Sequence, residues 1–151
     1  MSSSLVSVQY KINAAYTAEA FTDLLRRSTL AERRPVEDAE CIKQMVQGGN
    51  LAVTAWQGKR LVGIARSVTD FAYCCYLSDL AVDHSFQGVG VGRRLVQLMQ
   101  EQLGPRCTLI ALAAPDANDY YLHVGFEPHP RAWVLRPGSR VHLGPGAAPQ
   151  R

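Results

Sequence analysis

The stretch Tyr76-Leu77-Ser78-Asp79-Leu80-Ala81-Val82-Asp83-His84-Ser85-Phe86-Gln87-Gly88-Val89-Gly90-Val91-Gly92-Arg93-Arg94 decides how this chain is read. An apolar strand ends near Val82. A short polar turn follows, then glycines alternate at positions 88, 90 and 92, and an amphipathic helix begins. Glycine lets the backbone approach a ligand closely and adopt conformations that side chains forbid. The first turn of a helix has unpaired N–H groups and a partial positive charge. Together these features make a cradle for a phosphate, and Arg93 and Arg94 add charge beside it.

Two common phosphate motifs do not fit. A Walker loop needs Gly-Lys-Ser/Thr, and the chain has Gly92-Arg93-Arg94. A dinucleotide fingerprint needs G-x-G-x-x-G; its third glycine falls on Arg93 or Leu95, according to the starting glycine. The pattern that fits is Q/R-x-x-G-x-G/A, carried by Gln87, Gly88, Val89, Gly90, Val91 and Gly92.

Around this centre the periodicity predicts one domain. Residues 5–11 alternate as a first strand, and Thr17 caps a helix that runs to about Leu30. Arg33-Arg34-Pro35 interrupts; Pro35 suits a helix start, and Val36 to Gln47 form a second helix closed by Gly48 and Gly49. Leu51–Trp56 and Leu61–Val68 are strands joined by a turn at 57–60, and Tyr73–Val82 is a third, aromatic-rich strand. Val91, Leu95, Leu98, Met99 and Leu103 line one face of a helix from about Gly88 to Leu103. A strand over 108–113, a short helix over 116–124 and a final strand or hairpin over 126–136 complete the chain. The order β-α-α-β-β-β-α-β-α-β predicts a mixed α/β fold: a twisted mixed sheet flanked by helices. Residues 1–136 form the expected domain, and 137–151, rich in glycine and proline, a flexible tail.

Composition narrows the classes. The chain has 151 residues, 47% hydrophobic and 19% charged, which suits one globular core. A net charge of +3 gives no basic stripe of the kind nucleic acids require. No apolar run reaches about eighteen residues, so no membrane span is expected. The first ten residues lack the charged and apolar regions of a secretory leader. Cys41, Cys74, Cys75 and Cys107 include no C-x-x-C pair, so they are read as reduced, packed thiols in a cytoplasmic protein without a metal.

Three motifs in order resemble the GNAT superfamily of acyl-coenzyme A-dependent N-acetyltransferases. Leu77–Val82 is similar to that family's fourth strand, and Gln87–Gly92 to its pyrophosphate loop. Ala117-Asn118-Asp119-Tyr120-Tyr121-Leu122-His123-Val124-Gly125-Phe126 is similar to its A-x-x-[FY]-Y-x-x-x-G-F segment. The resemblance implies a GNAT-type sheet of six to seven strands and acetyl-CoA as co-substrate. It implies main-chain contacts to the pantetheine arm from Leu80, Ala81 and Val82. Pyrophosphate contacts would come from the 87–92 loop, with Arg93 as the next donor. Many relatives place an asparagine seven residues before the tyrosine; here that residue is Ala114, and Asn118 is the substitute. Tyr121 takes the place of the acid that protonates the leaving thiolate.

The attacking amine must lose a proton. Asp79, a carboxylate in an apolar strand, is the leading candidate, serving the substrate or binding backbone groups. Strand alternation places Ser78 on the opposite face, where it orders a water. His84 reads as a turn residue and His123 is ambiguous. Direct attack in a ternary complex, with the thioester carbonyl against the Val82 N–H, is the expected mechanism. A cysteine acyl-enzyme at Cys74 or Cys75 is the alternative, although no histidine lies near them in sequence. Arg33 and Arg34 read as a cap on the first helix in preference to an anion site. The acceptor is read as a primary amine of a small molecule. A protein or peptide amine, a non-catalytic acyl-CoA sensor and a nucleotide-phosphate binder are the competing readings. Neither nucleic acid nor membrane is an expected partner, and the resemblance allows a homodimer.

Overall fold

The computed structural model describes residues 7–145. The chain divides into two compact units, one up to Asn118 and one from Asp119. The expected first-strand residues Leu5 and Val6, and residues 146–151 of the expected tail, lie outside the described residues.

The first unit is built on one mixed sheet of five strands in chain order: β1 (Val8–Ile12), β2 (Leu51–Gln57), β3 (Arg60–Thr69), β4 (Cys74–Val82) and β5 (Thr108–Ala111). The first three pairings are antiparallel, and β4 and β5 run parallel. Gly58, at φ +59°, opens the two-residue turn between β2 and β3, a backbone region that glycine enters without steric cost. β2 and β3 are buried nearly throughout because both their faces are covered, which explains their continuous apolar runs.

Helices α1 (Ala18–Arg27) and α2 (Ala39–Gly48) cover one face. Phe21, Leu24 and Leu25 of α1 and Ile42 of α2 pack with Leu61, Ile64 and Ala81 of the sheet. Helix α3 (Val91–Glu101) covers the other face, burying Val91, Leu95, Val96 and Met99. Thr17 caps α1 as expected, its hydroxyl accepting from the Ala20 N–H at 3.0 Å. The start of α2 differs from expectation. Asp38 is its cap, accepting from the Cys41 N–H at 3.0 Å, while Pro35 lies in a turn whose carbonyl accepts from the Asp38 N–H. A side-chain acceptor satisfies an orphan helix donor, which proline cannot do.

The second unit opens on most of α4 (Asn118–Val124). The expected six to seven strands are not reached. Residues 126–136 form no strand, because Pro128 and Pro130 each lack the N–H that a ladder needs. Among the described residues the sheet therefore has five strands, and the element order ends on a helix.

Candidate active site

β4 has a strand partner on both sides only over Cys75–Leu77, a third of its length. β5 pairs with Cys74 to Leu77 and then diverges, whereas β3 follows β4 from Cys75 to Val82. The Asp83 N–H donates to the Val62 carbonyl at 2.8 Å, which fixes the phase of the β3–β4 ladder. By the alternation of an antiparallel pair, Ala81 and Asp79 bond toward β3. The backbone groups of Leu80 and Val82 therefore face the open edge. Of these, the Val82 carbonyl accepts from Gln87 Nε2 at 3.0 Å, which ties the loop back onto the strand.

The ladder also contains a β-bulge. Arg66 stands opposite Asp79 and Ser67 opposite Leu77, so Ser78 is an extra residue. This corrects the expectation that Ser78 and Asp79 occupy opposite faces. The bulge presents both to one guanidinium: Arg66 donates to an Asp79 carboxylate oxygen and, through Nη2, to Ser78 Oγ at 3.0 Å.

Asp79 is the centre of a buried cluster, with its side chain 0% exposed. One carboxylate oxygen accepts from Arg66 Nε and the other from Arg34 Nε. Arg34 Nη2 donates to the Ser78 carbonyl at 2.7 Å, and Arg66 Nη1 donates to the Met45 carbonyl at 2.9 Å. Gly49 leaves room for this guanidinium: a Cβ there would stand 3.1 Å from Arg66 Cγ. Arg34 is thus a cross-link from the α1–α2 linker to β4. The expected helix-capping reading fails for it, since the basic residues in the last turn of α1 are Arg26 and Arg27.

Past β4 the chain makes one short 3-10 turn at His84–Phe86, held by Asp83, whose carboxylate accepts from the Ser85 N–H at 2.8 Å. Arg27 bonds the same carboxylate and donates to the Leu61 carbonyl at 2.7 Å; Arg60 approaches to 3.5 Å. Burial pushes the Asp83 carboxyl up, but the Ser85 amide, Arg27 and Arg60 outweigh it and hold it below its ordinary value. Sequence reasoning missed Asp83, although an aspartate directly before a turn and two residues before a serine is a cap signal.

Gly88 and Gly90 then adopt φ +79° and +93°. The first bond into α3 runs from the Arg94 N–H to the Gly90 carbonyl at 3.0 Å. The N–H groups of Val91, Gly92 and Arg93 meet no backbone acceptor among the described residues. A Cβ on either Gly88 or Gly90 would touch nothing within 4 Å, so the loop is open on that side. Helix α3 is held close to the sheet at Gly63, where a Cβ would come within 3.1 Å of Leu95 Cδ1 and 3.2 Å of Val91 Cγ1.

His84 is exposed in its turn. Cys75 is buried, and burial pushes its thiol up while hydrogen bonds from Ser67 and Thr69 act against that. A thiol raised by burial is a poor nucleophile. In the second unit Tyr121 packs edge-on against Phe126, with ring centroids 5.1 Å apart, and its carbonyl accepts from the Phe126 N–H at 2.9 Å.

Residues 12–141 match the family model of the acetyltransferase (GNAT) domain. The chain belongs to this family. The GNAT domain here is 34% identical over 79 residues to the chloroplastic GCN5-related N-acetyltransferase 2 of Arabidopsis thaliana, covering 49% of this chain and 30% of that protein. The matched stretch spans between 30% and 58% of the length of such curated relatives. Among solved structures, a GNAT-family acetyltransferase from Streptococcus pneumoniae TIGR4 superposes with a TM-score of 0.65 at 20% identity, covering 85% of this chain and 98% of that one. An aminoglycoside N-acetyltransferase in complex with CoA gives 0.65 at 18% identity, over 85% and 93%. At these identities the likeness concerns the fold. GNAT domains use acetyl-CoA, and the open β4 edge running into an amide-rich loop fits an extended thioester arm ending in a pyrophosphate.

Proposed function

We propose that this chain moves an acetyl group from acetyl-CoA to a primary amine of a small molecule, by direct attack in a ternary complex. The observation that carries the reading is the free edge of β4. It starts where β5 departs, exposes the backbone of Leu80 and the N–H of Val82, and leads into Gly88, Gly90 and the amides opening α3 that meet no backbone acceptor among the described residues. The edge takes the pantetheine arm as an added strand, and the amides of residues 87–92, with Arg93, take the pyrophosphate. Asn118 supplies a further polar contact to the coenzyme.

Acetyl-CoA supplies an activated thioester. The Val82 N–H holds the thioester carbonyl oxygen as charge develops on it. The amine nitrogen bonds to the acetyl carbon, the carbon–sulfur bond breaks, and Tyr121 gives its hydroxyl proton to the departing sulfur. Asp79 does not act as the base, because both its oxygens are engaged by guanidinium groups in a buried cluster. The amine proton passes to a water held by Ser78, whose oxygen is fixed by Arg66. The name of one solved neighbour, an aminoglycoside N-acetyltransferase, lends support to a small-molecule acceptor. The cytoplasm remains the proposed compartment, on the four free cysteines.

The test is thiol release from acetyl-CoA across a panel of amines, with CoA binding followed by thermal shift. Turnover on small amines supports the reading. Binding of CoA with no amine acetylated, including peptide N-termini and lysines, overturns it in favour of a sensor.

A further inference from the structure

Resting on that acetyl-transfer reading, we infer that the acceptor is an amine carrying a carboxylate and an apolar body, such as an apolar amino acid. The basis is the sequence of cross-strand pairs on the sheet face that bears α1 and α2. Ile64 and Ala81 belong to the core beneath the helices. The next pair on that face is Arg66 and Asp79, joined by Ser78 through the bulge. The pair after it, one strand repeat or about 7 Å further, is Val68 and Tyr76, and β5 extends the row with Ile110 opposite Tyr76. The helices do not reach this last row: Val68 is 50%, Tyr76 40% and Ile110 48% exposed.

Three apolar side chains in a line across three strands form a platform that water covers poorly. It lies directly beside the ion cluster, at the point where β4 and β5 part. The cluster is not neutral. Arg34 and Arg66 share the single carboxylate of Asp79, and no other acidic group lies within salt-bridge distance of either among the described residues. One positive charge is left over in a largely buried setting, where an uncompensated charge is costly. Arg34 is the member that a ligand can reach, with its side chain 21% exposed. Its nitrogens bond Asp79, Ser78 and Arg33, and a guanidinium has five N–H donors, so two remain. A carboxylate answers both the spare charge and the spare donors. A polyamine meets the same cluster as a like charge.

The test compares phenylalanine with phenylalaninamide and leucine with leucinamide, with spermidine as the cationic case. Rates are expressed per neutral amine, because the amide lowers the amine's proton affinity. The expected result is a kcat/KM on the order of tenfold or more higher for each carboxylate member, with spermidine the poorest. Arg34→Lys, which keeps the charge and loses the fork, is expected to shrink that ratio. Tyr76→Ser, a change at an exposed position, is expected to lower the rate on phenylalanine more than on glycine. Equal rates for acid and amide, an acid-to-amide ratio indifferent to Arg34→Lys, or a phenylalanine-to-glycine ratio indifferent to Tyr76→Ser overturns the inference while leaving acetyl transfer intact. Failure of every amine to release thiol overturns acetyl transfer itself, and the acceptor inference with it.

Discussion

Arg34 grips Asp79 across forty-five residues of sequence, and the same guanidinium donates to the carbonyl of Ser78 at 2.7 Å. The linker between α1 and α2 is therefore tied to β4 at the residue where β5 leaves. A buried carboxylate held by two guanidiniums is a cross-link, and its removal leaves two charges without their counter-ion. Asp79→Asn is expected to cost about 3 kcal/mol or more of stability in urea unfolding. If Asp79 were instead the base, the variant would keep its stability and lose only turnover.

Gly90 sits at φ +93° with open space around its missing side chain. Gly90→Glu clashes with no protein atom and brings a negative charge to the proposed pyrophosphate loop. CoA binding by calorimetry is expected to fall at least a hundredfold, while circular dichroism stays native apart from a small loss from backbone strain. Unchanged affinity would place the phosphates elsewhere.

Gly63 is where α3 meets the sheet. Gly63→Val introduces a Cβ within about 3.1–3.3 Å of Leu95, Val91 and Ala55, with further methyl groups beyond it. Overpacking of this kind costs about 1–3 kcal/mol. Because Val91 begins α3, the amides at its start shift too, and CoA affinity is expected to drop in variants that still fold.

Two aspartates are expected to contribute to the loss of stability in acid. Three backbone amides, of Tyr73, Cys74 and Ala72, hold the Asp70 carboxyl down to about 2. Asp83 is also lowered, by the Ser85 amide and its arginines against burial. A depressed carboxyl contributes stability that is present above the unfolded pKa of about 3.9 and is lost as pH falls through the folded value. The melting temperature is expected to decline between about pH 4 and pH 2. The gap between the native chain and Asp83→Asn is expected to narrow as pH falls below about 4; a gap constant with pH would remove Asp83 from this account.

Tyr121→Phe keeps the edge-on ring contact with Phe126 and removes the hydroxyl. Steady-state kinetics are expected to show kcat reduced about tenfold or more with KM for acetyl-CoA nearly unchanged. Equal kcat values would end the acid assignment.

What the sequence disclosed follows from physics that acts locally. The strand through Val82, the glycine loop and α3 were legible because a two-residue period gives way to a helical one across three glycines. Thr17 was legible as a cap for the same reason. Asp38 was overlooked because Pro35 offered an attractive helix start nearby. The missing last strand was readable from Pro128 and Pro130, had their absent donors been weighed above the apolar residues around them. The role of Arg34 was not legible, since its partners lie on β4, brought near only by the fold. The extra residue at Ser78 left no trace in composition or pattern, because a bulge is a property of two strands together.

That bulge gives β4 slack. A strand alternates between its two faces, and Ser78 is the residue that has no partner of its own on β3. Without Ser78 the chain would still set Asp79 opposite Arg66, Leu77 opposite Ser67 and Tyr76 opposite Val68, so Leu77 and Cys75 would stay buried and Tyr76 exposed. Deleting Ser78 should therefore be far better tolerated than deleting Leu80 or Ala81, where the ladder is regular, and its main loss would be the hydroxyl that Arg66 holds.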